Sequence, residues 1–191
     1  MFLKSVFTIT LLPLAFVGAT SMAAQAATVP APEALGMLLS TMKDRLEIAD
    51  LVALTKWDSG DPIQDSGRES QVIASAQQAA AKYGVSGDDA KVLLAAQIEA
   101  NKLVQYSLLA TWSTAGKAPD TKRPDLKKQI RPQLDELQVR LLEQYAQFSL
   151  YRTDPACSTW LRQARAQLNS DPLHDLALVR ATGDLCIRNK P

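Results

Sequence analysis

The stretch that decides the fold is RLEIADLVALTKW (45–57), followed after a short break by PIQDSGRE (62–69). Apolar residues recur at three- and four-residue steps through the first segment, the spacing of one helix face. Arg45 and Lys56 lie eleven residues apart, close to three helical turns, so both cations project from the same side. Ser59-Gly60-Asp61-Pro62 breaks the helix. The next helix opens with Asp65 as an N-cap candidate, then Arg68 and Glu69 in its first turn. Cations from two helices, with carboxylates beside them, suit a small dianion that also carries a hydroxyl.

Working outward, the same periodicity continues and strand signals are nearly absent. Ala, Leu, Gln, Lys, Glu and Arg dominate, all good helix formers. A first long helix is expected from about Glu33 to Trp57. A second runs from Asp65 to about Tyr83, with Gly84 as its stop. Ser86 or Gly87 opens a third, whose Asp88 and Asp89 suit the positive end of the helix dipole and which reaches about Ser113. Thr114 to Pro124 reads as a loop, and a fourth helix as Asp125 to about Tyr151. Asp154-Pro155 and Asp171-Pro172 each start a short helix with proline in the first turn. The expected fold is all-α: one six-helix bundle, with three long helices forming the half that carries the candidate site.

The chain has 191 residues, 47% of them hydrophobic, enough for one domain with a real core. Its N-terminus reads as an export signal: Lys4 in a short n-region, an apolar run from Ser5 to Gly18, and Ala24-Gln25-Ala26 as a small-x-small cleavage pattern. Pro13 and the shortness of that run argue against a membrane anchor. The expected division is a signal peptide, 1–26, and a mature domain, 27–191. Removing 1–26 subtracts one lysine and no acid, leaving twenty charges of each sign. A neutral mature chain argues against nucleic acid or an anionic membrane as partner. Export places Cys157 and Cys186 in an oxidising compartment, where they can pair and tie the fifth helix to the sixth. Two cysteines and one histidine at these spacings do not make a zinc site.

Each candidate also has a plain reading. Arg45 beside Asp44 and Glu47 could belong to a salt-bridged surface face, and Asp65 could be only a cap. Gly67 in a helix's first turn weakens it unless a close backbone approach is needed. Gln97, Asn101 and Gln105 form an amide stripe at successive i, i+4 positions, either solvated or buried against a ligand. Arg140 could pair with Glu136 or Glu143 at the surface. His174 and the tryptophans Trp57, Trp112 and Trp160 read as structural.

Together, R-L-E-x-A-D-x-V-A-x-x-K-W, P-I-x-D-S-G-R, the signal peptide, the six-helix plan and the late cysteines resemble the all-helical chorismate mutases of the exported subclass. The resemblance implies a pericyclic rearrangement of chorismate to prephenate, with no covalent intermediate, metal or cofactor. It implies that Arg45, Arg68 and Arg140 hold the substrate carboxylates, Arg140 taking the place of the arginine that the smallest members borrow from a partner chain. Lys56 and Gln105 match the positions that hydrogen-bond the breaking ether oxygen. Asp65, through its backbone, and Glu69 would meet the ring hydroxyl. Asn101 stands where a small hydroxyl residue is usual. Gln105, unlike a glutamate there, donates at any pH, so the rate should be nearly flat from mildly acidic to neutral pH. Any homodimer would form through external contacts. The rival readings are an isochorismate pyruvate lyase on the same fold and a non-catalytic exported binding protein for a small dianion.

Overall fold

The longest uninterrupted apolar stripe, Leu35, Leu38, Leu39, Met42, Leu46 and Ala49, becomes the spine of the molecule. The computed structural model describes residues 30–168 and 171–187. The expected signal peptide therefore lies outside the described residues. Six α-helices follow: α1 (Glu33–Ser59), α2 (Ser66–Ala80), α3 (Gly87–Ala115), α4 (Arg131–Ser149), α5 (Cys157–Ala166) and α6 (Pro172–Ala181), with no strand among the described residues. The expected all-α bundle is the fold observed. Helix α1 is central and packs against α3, α4 and α6, while α2 lies against α3.

The helix ends follow the local chemistry. Gly60 closes α1 in the left-handed region (φ 72°), its N–H returning to the Lys56 carbonyl. Asp65 caps α2, accepting from the Arg68 N–H at 3.0 Å. Ser86 caps α3 through the Asp89 N–H, and Asp171 caps α6 through Leu173 and His174. Helix α2 tightens into a 3₁₀ turn, Ala81–Tyr83, before Gly84. The helix expected at Asp154 starts at Cys157 instead, because Asp154 is spent on a turn through the Ala156 N–H.

The fourth helix departs most from expectation. Its expected first turn is a π segment, Leu126–Ile130, with Ile130 N–H bonded to the Asp125 carbonyl and Arg131 N–H to that of Leu126. The cause is Pro132, which has no N–H to donate and whose ring collides with the carbonyl four residues back. Ordinary α bonding cannot run through that point, and a wider turn absorbs the mismatch.

The main core joins the α1 stripe to Leu93, Leu94 and Val104 of α3, Leu141, Leu142, Tyr145 and Phe148 of α4, and Trp160 and Leu178 of the last two helices. A smaller cluster of Ile48, Val52, Ile130 and Leu137 locks the start of α4 onto α1. Trp57 meets Trp112 edge to face at 6.0 Å, pinning the end of α1 to α3.

The segment that follows α6 is clasped twice. Cys157 and Cys186 form a disulfide, with Cys186 five residues beyond the end of α6, so the bond secures the tail that follows α6. Arg152 donates to the carbonyls of Leu185 and Asp184 and to Asp89, and lies over the Tyr145 ring. His174 joins α6 to α1, its ring nitrogens 2.5 Å from Asp171 and 3.2 Å from Asp50.

Candidate active site

The α1, α2, α3 and α4 walls enclose a cavity of about 170 Å³. Arg45 and Lys56 reach it from α1, as their spacing predicts. The turn at 60–65 brings Asp65, Arg68 and Glu69 to its rim, and α3 contributes Asn101 and Gln105. Seven of the eight residues proposed to meet the substrate thus share one cavity.

Arg45 is only 6% exposed. Its Nη1 donates to the Leu134 carbonyl at 3.1 Å, its Nε has no partner, and no carboxylate oxygen lies within 4 Å among the described residues. Burial pushes its pKa down to about 10, with Asp135 pulling the other way. It remains a guanidinium at neutral pH. A buried cation left without a carboxylate is costly unless an anion arrives from outside.

Lys56 Nζ donates to the carbonyls of Pro62 (2.8 Å) and Ile63 (2.6 Å), which leaves one of its three hydrogens for a ligand. Burial lowers its pKa, opposed by Asp65, Asp61 and Glu69. Arg68 stands 3.7 Å from Asp135, a half-exposed pair of little strength. Glu69 receives the Asp65 N–H on one oxygen (3.2 Å) and Lys102 on the other (3.3 Å).

An amide relay runs along α3: Asn101 Nδ2 donates to the Arg45 carbonyl at 3.0 Å, and Gln105 Nε2 donates to Asn101 Oδ1 at 2.7 Å. The relay fixes which end of each amide is which, because a backbone carbonyl can only accept. Gln105 Oε1 is buried without a partner, and the second Nε2 hydrogen is also uncommitted. Gln97 leaves the stripe. It donates to the Ala181 carbonyl and joins α3 to α6 outside the cavity. Gly67 has no close neighbour that would exclude a Cβ, the nearest atom being 3.7 Å away, so the expected close approach is not present within the protein.

Arg140 requires correction. It is exposed, in an outer groove with Asp44, Glu47, Gln133 and Glu136. The arginine that α4 presents to the cavity is Arg131, together with Leu134, Asp135 and Gln138 at steps of three, four and seven. Nine residues separate the two arginines, which at about 100° per residue is half a turn out of phase. The sequence reading also missed Lys102, Asp135 and Gln138. Arg131 follows the buried Ile130 and precedes the partly buried Leu134 by three residues, but which side of α4 meets α1 is set by tertiary packing and left no signal in the sequence. Five cations (Arg45, Lys56, Arg68, Lys102, Arg131) and three carboxylates (Asp65, Glu69, Asp135) line the cavity, a net charge of +2.

Fold and site together define a class: an all-helical protein with a net-cationic pocket built between four helices. A family model described as chorismate mutase type II matches residues 37–106. The chain is 31% identical over 157 residues to the secreted chorismate mutase of Mycobacterium tuberculosis, covering 80% of this chain and 78% of that one. It is 41% identical to the chorismate mutase of Burkholderia phymatum, whose crystal structure superimposes with a TM-score of 0.78 over 82% of this chain and 98% of that one. The secreted chorismate mutase of Yersinia pestis superimposes with a TM-score of 0.65 at 27% identity, covering 78% and 95% of the two chains. The chain belongs to the chorismate mutase family, and so to the isomerases.

Proposed function

We propose that the cavity binds chorismate and converts it to prephenate by holding it in a folded conformer and stabilising charge on the breaking ether oxygen. The observation that carries this reading is the buried Arg45 guanidinium without a carboxylate partner, beside Lys56, Arg68 and Arg131 around one cavity. A net charge of +2 matches a substrate with two carboxylates.

Arg45, Arg68 and Arg131 hold those carboxylates through charge-assisted hydrogen bonds. Fixing both ends of the substrate makes the rearrangement a matter of orientation, which can account for a large share of a unimolecular barrier. As the C–O bond breaks, the uncommitted Lys56 and Gln105 hydrogens meet the growing charge on oxygen. Asn101, placed where a hydroxyl residue is usual, serves by holding Gln105 through the amide relay. Glu69 accepts from the ring hydroxyl. Asp65 fixes Glu69 through its N–H and caps the helix with its side chain.

The chain acts after export. That reading rests on its N-terminal pattern and on relatives named secreted. No helix among the described residues is long and apolar enough to cross a membrane. The deciding experiment is incubation of purified 27–191 with chorismate, following loss of diene absorbance and identifying the product by chromatography. Prephenate that disappears in Arg45→Ala and Lys56→Ala supports the reading. Pyruvate from isochorismate in its place would make the protein a lyase, and no turnover by a folded, oxidised sample would leave a binding site.

A further inference from the structure

Lys102 is a cation that the reaction outlined above does not use. It follows Asn101 on α3 and lines the cavity, yet its side chain is only 11% exposed. A lysine in mid-helix ordinarily extends its ammonium into water. Here Nζ lies 2.7 Å from Glu99 on its own helix and 3.3 Å from Glu69 on α2, bridging two walls of the site. Those two carboxylates hold the proton on Lys102, Glu99 more strongly than Glu69, against the opposing effect of burial.

The consequence falls on Glu69. One of its oxygens accepts the Asp65 N–H and the other the Lys102 ammonium, so the carboxylate cannot rotate without losing a contact. It also stands in a cavity that must accept a dianion, where an uncompensated carboxylate would repel the ligand. Without Lys102, the charge that lines the cavity would fall from +2 to +1.

We propose that Lys102 is a positioning residue, which aims Glu69 at the substrate's ring hydroxyl and offsets its charge against the incoming dianion. The inference rests on the chorismate reading of the site. Both effects act on the bound substrate and the transition state alike, so the loss should appear in KM rather than kcat.

The test is steady-state kinetics with chorismate for wild type, Lys102→Met, Lys102→Arg, Glu69→Gln and the double variant, with thermal melting of each. Lys102→Met should raise KM roughly tenfold and leave kcat within about threefold, and Lys102→Arg should recover most of the loss. In the Glu69→Gln background the same Lys102→Met change should alter KM less than about twofold, because its target is gone. Should Lys102→Met melt below the assay temperature, Lys102→Gln, which keeps a donor without the charge, carries the same comparison. A wild-type KM in the lysine variant, or equal losses in both Glu69 backgrounds, overturns the role of Lys102 alone. Absence of turnover in the wild type overturns the reading of the site itself.

Discussion

Arg131 and Arg140 stand on opposite sides of α4, the first facing the cavity beside Arg45 and the second facing an outer groove beside Asp44 and Glu47. A kinetic contrast follows. Removing a cation from a partly desolvated anion site costs about 2–5 kcal/mol. Arg131→Ala should therefore lower kcat/KM by roughly 30- to 5,000-fold. Arg140→Ala, a surface change, should stay within about twofold. Equal losses in the two variants would contradict the assignment.

The pH profile should be flat on the acid side and fall on the alkaline side. Gln105 does not titrate, so nothing at that position limits the rate from pH 5 to neutrality. Lys56 must keep its proton to donate to the ether oxygen. Burial lowers its pKa below the ordinary 10.5, so activity falls as pH rises through that lowered value. Gln105→Glu should add an acid-side requirement, because a glutamate donates only when protonated. Profiles of kcat for both proteins from pH 4.5 to 10 check this; a wild-type decline on the acid side of neutrality would refute it.

Reduction of Cys157–Cys186 should weaken the fold and spare the site. The bond closes a loop spanning 29 residues, worth about 3–4 kcal/mol in the chain-entropy model. At roughly 2–4 °C per kcal/mol for a chain of this size, the melting temperature should drop by about 6–16 °C. Neither cysteine lines the cavity, so KM measured well below the transition should not change. Paired melting curves and kinetics with and without reductant separate the two effects.

Acid should loosen the clasp on the segment that follows α6. Hydrogen bonds from Ser86, then from Arg152 and Tyr145, hold the Asp89 carboxyl below its ordinary 3.8. A group depressed in the folded state contributes stability that is present above the unfolded value and lost as pH falls through the folded one. That loss begins near pH 4 and deepens below it. Asp89→Asn should therefore be less stable than wild type at neutrality and converge with it in acid. Urea midpoints at pH 7 and pH 3 would reveal a constant gap if the idea is wrong.

Much of the cavity lining was legible because it depends on helix phase within short segments. Arg45 and Lys56 share a face by spacing alone, and Asp65, Arg68 and Glu69 follow from a turn that the proline and glycine mark. Legibility fails at α4. There the decisive event is the π segment that Pro132 forces, and the side of the helix that meets α1 is set by tertiary packing of Ile130 and Leu137. Lys102 was hidden for a related reason. A lysine beside a glutamate on one helix looks like a surface pair, and only the approach of α2 turns it inward. Gln97 shows the converse, an amide on the right face but at the end of α3 that α6 covers.

The cations from Arg45 to Arg131 all come from a single polypeptide, because the start of α4 packs over α1 around Arg45, Ile48 and Val52. On the proposed reading each folded molecule carries a whole site, and specific activity should not decline on dilution. Two defective copies could not repair one another: a mixture of Arg45→Ala and Arg131→Ala chains should be as inactive as either alone. Mutations in this protein would act independently, chain by chain, with no rescue between alleles.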